Sequence, residues 1–276
     1  AAAATITPGV PEKGSDGCYG ISTTAELYGF GMLVNNVGYN TYFTDCAKLM
    51  ADIVVNENVL TDEGELNEEA SGDFLNWTPM QKFAGKFDGQ GHTISGLYVN
   101  SMSNYSAFIG YIQTSAFSKD TVVIQDLGIV DSYFYGSYNI AAFVGMINSS
   151  SPVRIENCFA DSRVIAYDGS AGGFVGFADK LLLKNSYNAG AITGTDRAGG
   201  IVGYMDSYSA EMVNVFNVGK VNTTSETIYA KPIVGYNWSP NIHENVFYLG
   251  TGLDDGGKDS MGVAMSQEQF EKGAVA

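Results

Sequence analysis

The chain has 276 residues, 45% of them apolar, enough for one continuous core. Lys and Arg total 14 against 30 Asp and Glu, a net charge of −16, which disfavours nucleic acid and anionic membrane as partners and leaves cationic or neutral ones. No apolar run approaches the roughly eighteen residues that cross a bilayer, so membrane insertion is not expected.

In chain order, residues 1–18 read as an N-terminal tail. Its Ala-rich start, Ala1–Ala4, has no charged and apolar leader before it, as after removal of a signal peptide. Thr23-Thr-Ala-Glu26 has the spacing of a capping box, and Leu27, Phe30 and Val34 fall on one helical face. A short helix here would cover the open end of a stack of strands. Ala47–Val55 reads as a strand and residues 57–72 as an acidic connection. Residues 77–99 alternate apolar with polar side chains between tight Gly corners and read as the first wide coils of that stack.

A short phrase then recurs five times: Phe108-Ile-Gly110, Phe143-Val-Gly145, Phe174-Val-Gly176, Ile201-Val-Gly203 and Ile233-Val-Gly235, at intervals of 35, 31, 27 and 32 residues. Asp126, Asn157, Asn185, Asn214 and Asn245 run in step, spaced 31, 28, 29 and 31. Two markers at one period mean a unit of about thirty residues stacked along an axis. Two residues before the second marker stand Ile124, Ile155, Leu183, Met212 and His243; two after it stand Gly128, Phe159, Tyr187, Phe216 and Phe247. Seven after it come Tyr133, Val164, Ile192 and Val221, and then Gly252, where the pattern gives out. Alternation of this kind predicts strands with one face inward, separated by Gly-rich turns.

A propeller blade needs about forty residues or more, and leucine-rich repeats need regular Leu spacing. The expected fold is therefore all-β: a right-handed parallel β-helix of roughly thirty-residue coils with a short N-terminal capping helix. The handedness follows the general preference of parallel crossovers together with the resemblance drawn below, and no single residue fixes it. The marker asparagines should form a ladder in which each amide donates to its neighbour, with Asp126 as an acceptor-only end. The solenoid domain is expected over residues 19–250. Residues 251–276 read as a Gly-rich acidic segment leading to further modules, with Ser266-Gln-Glu-Gln269 opening a helix.

Phe83–Leu97, the Gly-Gly-apolar-Val-Gly phrases and the apolar-x-Asn-x-aromatic runs resemble bacterial surface proteins that carry the GLUG motif. They also resemble the non-catalytic repeat region of the immunoglobulin A1 metallopeptidases. Ile21–Leu27, Lys48–Ile53 and Met265–Phe270 are similar to typical companions of these repeats, so the resemblance spans about residues 19–272. It implies export, a bacterial cell-surface or extracellular location, and adhesion or polysaccharide interaction. Ala141-Ala142 and Lys231-Pro232 depart from the pattern where a Gly pair is usual, which puts the geometry of those two corners in question.

Few residues carry chemistry. His243-Glu-Asn-Val-Phe247 starts like a zinc-protease helix, but Phe247 stands where the second His belongs. His92 lies in a turn, where corner hydrogen bonding is the expected role. Asp254–Asp259 could hold calcium but lacks EF-hand spacing. Cys158 reads as a small core residue, and Cys18 and Cys46 could be bridged in an oxidising compartment. Asp131 and Asp161 stand near equivalent positions and could pair as glycosidase carboxyls. No catalytic, cofactor or metal residue is assigned. Seventeen Tyr and fifteen Phe, with the run Tyr133-Phe-Tyr-Gly-Ser-Tyr138, point instead to sugar stacking or protein contact, set against the alternative that they clamp neighbouring coils. The expected function is a non-catalytic extracellular module that binds host or cell-wall glycan or protein, or spaces other domains. The alternative is a polysaccharide lyase or glycoside hydrolase on the same scaffold.

Overall fold

The copies of the Val-Gly phrase lie directly over one another. A computed structural model of the chain describes residues 4–38, 41–114, 121–206, 210–224, 229–238, 242–250 and 261–272. The strands Ile109–Ile112, Val144–Ile147, Val175–Ala178, Val202–Met205 and Val234–Asn237 form a five-stranded sheet paired in parallel throughout. Just before each of the last four lies a rung of a four-stranded parallel sheet: Ile140–Ala141, Ser170–Gly172, Arg197–Gly199 and Tyr229–Lys231.

The remaining strands make a 16-stranded sheet. One face of it runs Tyr19–Ile21, Cys46–Leu49, Lys86–Asp88, Val122–Gln125, Val153–Glu156, Leu181–Asn188, Glu211–Asn217 and Ile242–Leu249, each parallel to the next. The fold is thus an all-β parallel solenoid of about seven turns with a short helix near the N-terminus, as the two markers predict. Buried Val, Ile, Leu and Phe from all three sheets share one core that runs the length of the stack.

The markers differ from expectation in one respect. Asp126, Asn157, Asn185, Asn214 and Asn245 all hold a left-handed backbone, with φ of 52°, 55°, 49°, 54° and 52°. Asn and Asp tolerate this region better than other side chains. A left-handed residue breaks the alternation of an extended strand, so the positions two before and two after the marker do not share a face. The residues that turn inward after the kink are Leu127, Cys158, Ser186 and Val215, all at most 2% exposed. Phe159, Tyr187 and Phe216 lie half-buried instead.

A second shift occurs at Asp131, another left-handed residue (φ 45°), which is inserted as a bulge between Val130, opposite Asp161, and Ser132, opposite Ser162. Val164 therefore pairs with Phe134, and Tyr133 is not its counterpart. Ala47–Val55 is likewise two strands rather than one. Cys46–Leu49 and Ile53–Val54 join different faces across a corner at Met50, which is 53% exposed.

The departures from the Gly pair keep the corner register: Ala141 pairs with Gly172, Gly172 with Gly199, and Gly199 with Lys231. Glycine is required in the middle coils because Asn188 and Asn217 sit beneath it. A Cβ on Gly173 would stand 2.7 Å from the Asn188 amide carbon, and one on Gly200 2.3 Å from Asn217 Nδ2. The register partner of Asn188 in the preceding coil is Ala160, and that coil carries Ala142 in place of the second glycine.

At the N-terminal end, helix α1 (Thr24–Asn35) begins where Thr23 Oγ1 accepts from the Glu26 N–H at 3.2 Å. The Glu26 carboxylate reaches back to the Ser22 N–H, one residue beyond the Thr23 N–H of the usual box. Leu27, Phe30 and Val34 are fully buried, and the Phe30 ring packs edge-on against Phe43 at 5.4 Å. α1 thereby covers core that would face water. The segment before it is also engaged: the Gly9 N–H donates to Ala25 O, and Gly20 N–H to Glu12 O. Cys18 and Cys46 are joined, with Cα atoms 4.7 Å apart. Closing that loop of 28 residues contributes about 3–4 kcal/mol by restricting the unfolded chain.

At the other end Val263–Met265 pairs with Phe247–Leu249, and α2 (Gln267–Glu271) comes next, with the capping box of Ser266 and Gln269 complete. Gly252 and Asp254–Asp259 lie outside the described residues.

Candidate ligand-binding surface

The residue after each Val-Gly or Ile-Gly of the recurring phrase is large: Tyr111, Met146, Phe177, Tyr204 and Tyr236. These five occupy one register position of the five-stranded sheet. Each is half-buried, while the next residues along, Ile112, Ile147, Ala178 and Met205, are fully buried. At the inter-strand spacing of about 4.8 Å, four steps give a file roughly 19 Å long.

Its rings do not stack face to face. Phe177 meets Tyr204 at 5.0 Å and 82°, and Tyr204 meets Tyr236 at 5.4 Å and 64°. Tyr229, 45% exposed, stands edge-on to Tyr236 at 4.8 Å. The Arg197 guanidinium lies 4.7 Å from the Tyr204 ring centre and 5.4 Å from that of Tyr236, an arrangement in which the ring quadrupole attracts the cation. Burial, then the nearby Asp206 carboxylate, pushes the Tyr204 hydroxyl above its ordinary range. Trp238, 64% exposed, continues the aromatic surface beyond Tyr236 at 6.4 Å.

A second aromatic file, beside the asparagine corner, behaves differently. Phe159 and Tyr187 stack at 5.5 Å and 9°, and Tyr187 and Phe216 at 4.9 Å and 2°. Phe270 of α2 closes on Phe216 at 5.8 Å. With their faces taken by one another, these rings clamp coils together. This file thus takes the clamping role that the sequence left open.

The asparagine ladder forms as expected. Asn157 Nδ2 donates to Asp126 Oδ1 at 2.9 Å, Asn185 to Asn157 at 3.1 Å, Asn214 to Asn185 at 2.9 Å and Asn245 to Asn214 at 2.9 Å. Asp126 also accepts from Gln125 Nε2 at 2.8 Å.

The remaining candidates from the sequence sit mostly in structural roles. In the run Tyr133–Tyr138, only Tyr138 is exposed, at 45%, and its hydroxyl donates to Asp168 at 2.7 Å. Tyr133 is 7% exposed and joins Val59, Phe74 and Tyr98 in a small core beneath residues 57–75. The run therefore does not form the exposed patch expected of it. The segment over it is held by Arg163, which donates to Glu65 at 2.9 Å, and by Asp131, which accepts from the Val59 and Leu60 N–H groups at 3.2 and 2.8 Å. Desolvation, then the Asp131 charge, raises the Asp161 carboxyl. His92 Nδ1 lies 3.1 Å from Asp52 Oδ1 at a corner. His243 and Phe247 stand in register with Met212 and Phe216. Cys158 is buried, and burial pushes its thiol up to about 12.

Two features escaped the sequence reading. One is the outward file itself, although its signal is the residue directly after each phrase. The other is a second, buried ladder: Asn188 Nδ2 donates to Asn217 Oδ1 at 2.8 Å, and each of the two also binds its own turn at Gly190 or Gly219. Its signal is aromatic-Asn-x-Gly, present as Tyr187–Gly190 and Phe216–Gly219.

No family model matches the chain, so the GLUG likeness rests on the residues that carry it. No curated protein matches it. Among solved structures it is similar to the crystal structure of "a putative immunoglobulin A1 protease from Bacteroides ovatus", with a TM-score of 0.64 and 16% identity over 95% of this chain and 88% of that one. At that identity the two chains share a fold, which meets the expected likeness to the immunoglobulin A1 peptidases at the level of architecture.

Proposed function

We propose that the chain is a non-catalytic extracellular module of a bacterial surface protein that binds glycan along the aromatic file of the five-stranded sheet. The observation that carries this reading is the in-register file Tyr111, Met146, Phe177, Tyr204 and Tyr236. Its residues are all partly open to solvent, and Phe177, Tyr204 and Tyr236 meet edge to face, with no face-to-face stack among them. Sugar rings present an apolar face that stacks on aromatic rings, with hydroxyls left for water and for polar neighbours. The Cys18–Cys46 bridge supports an oxidising location, and among the described residues no helix is long and apolar enough to cross a membrane.

A glycan array probed with the chain and with a Tyr204→Ala, Tyr236→Ala variant tests the reading. Binding by the first and its loss in the second, with circular dichroism unchanged, are the expected results. A blank array for both removes binding to glycan and leaves a spacer or a protein-binding role.

A glycoside hydrolase is the second reading, favoured by the raised carboxyl of Asp161 beside Asp131. Against it, both oxygens of Asp131 are engaged by backbone N–H groups. Reducing-sugar release that disappears in Asp161→Asn would restore it.

A further inference from the structure

Where residues 76–81 run beside residues 99–106, the surface opens into a cleft of about 340 Å³, within the range of small-molecule sites. Trp77, Val99 and Ser106 are its buried residues, at 3%, 5% and 1% exposure. The rim carries the amides of Asn76, Gln81 and Asn104, together with hydroxyls. In a chain with 30 carboxylates, none lines this cleft, and neither do Lys, Arg or His among the described residues.

Trp77 is already fixed: its indole N–H donates to Phe108 O at 3.0 Å, and its ring stacks on Phe108 at 5.7 Å. The apolar floor is therefore preorganised, which lowers the ordering cost of binding.

We propose that this cleft holds one end of a neutral oligosaccharide. Hydroxyls of the sugar bond the rim amides, and its apolar face rests on Val99 and the edge of Trp77. An acidic sugar would find no cation here and would meet a chain of net charge −16. The cleft also adjoins the head of the aromatic file. Tyr105 lies between Asn104 and Ser106, and its ring stacks on Tyr111 at 5.6 Å and 21°. The proposal takes its ligand class from the glycan-binding reading but rests on different residues, so the two can fail separately.

The chain contains two tryptophans, Trp77 in the cleft and Trp238 beyond the end of the file. Labelling with 5-fluorotryptophan gives two ¹⁹F resonances, assigned with Trp238→Phe. The probes are cellohexaose, mannohexaose and chitohexaose, with hexagalacturonate as the acidic counterpart. At least one neutral hexasaccharide should shift the Trp77 resonance saturably, and hexagalacturonate should not. Gln81→Ala with Asn104→Ala, both on the rim, should weaken that shift about tenfold. The idea is overturned if no neutral probe moves the Trp77 resonance up to about 10 mM, if the rim variant leaves the affinity unchanged, or if the acidic probe binds better. A Trp77 response that survives Tyr204→Ala, Tyr236→Ala upholds the cleft even where the file fails on the array. A response confined to Trp238 sinks the cleft and leaves the file.

Discussion

Asn185 Nδ2 donates to Asn157 Oδ1 across 3.1 Å while both residues hold left-handed backbones, at φ 49° and 55°. One side chain thus performs two tasks. It permits the kink that separates two faces of the 16-stranded sheet, and it ties that kink to the coil beside it. Asn is suited to both, since it enters the left-handed region readily and carries a donor and an acceptor on one amide.

The two tasks can be separated by substitution at Asn185, which also accepts from Asn214 at 2.9 Å. Asn185→Ala loses both ladder bonds and strains the corner, and should cost about 2 kcal/mol. Asn185→Gly loses the same bonds but relieves the backbone, and should recover about 1 kcal/mol of that. Urea unfolding monitored by circular dichroism reads the difference. If Gly is as damaging as Ala, the corner conformation does not explain why Asn stands there.

Gly173 has a different reason to lack a side chain. A Cβ there would lie 2.2 Å from Gly200 O and 2.7 Å from the Asn188 amide carbon. Backbone on one side and a buried hydrogen-bonded amide on the other leave nothing free to move aside. Gly173→Ala should therefore lose at least about 2–3 kcal/mol. Gly72→Ala, where an added Cβ meets no atom within 4 Å, should be nearly neutral in the same thermal melt. Equal melting temperatures for the two variants would contradict the packing described at the corner.

The recurring phrase and the Asn series made the stack legible, because a parallel solenoid brings each repeat against its copy and so writes its register into the sequence as a period. The faces were harder to assign. Counting by twos from Asn157 assumes an extended backbone, and the left-handed turn at the marker breaks that count, so Cys158 and not Phe159 enters the core. The Asp131 bulge displaced Tyr133 in the same way. The outward file needed no such conversion, since Phe177, Tyr204 and Tyr236 come directly after the phrase. The cleft at Trp77 could not be read, because it depends on how segments some twenty to thirty residues apart lie against each other.

Asp161 gives a prediction whose sign depends on pH. Desolvation and the neighbouring Asp131 charge raise its carboxyl above the ordinary value of 3.8, so the folded state binds its proton more tightly than the unfolded chain does. Below 3.8 the residue is protonated in both states and carries no penalty. As pH rises through the raised folded value, ionisation destabilises the fold, and the full penalty remains at neutral pH. Asp161→Asn should therefore match the parent near pH 3 and exceed it at pH 7. The gain should be no more than about 0.5 kcal/mol, because the side chain, although part of its hydration is lost, keeps enough contact with water to screen its charge. Urea midpoints measured for both proteins from pH 3 to 7 check it. A variant that is less stable than the parent at pH 7 would show that the Asp161 carboxylate has a favourable partner that outweighs its repulsion from Asp131.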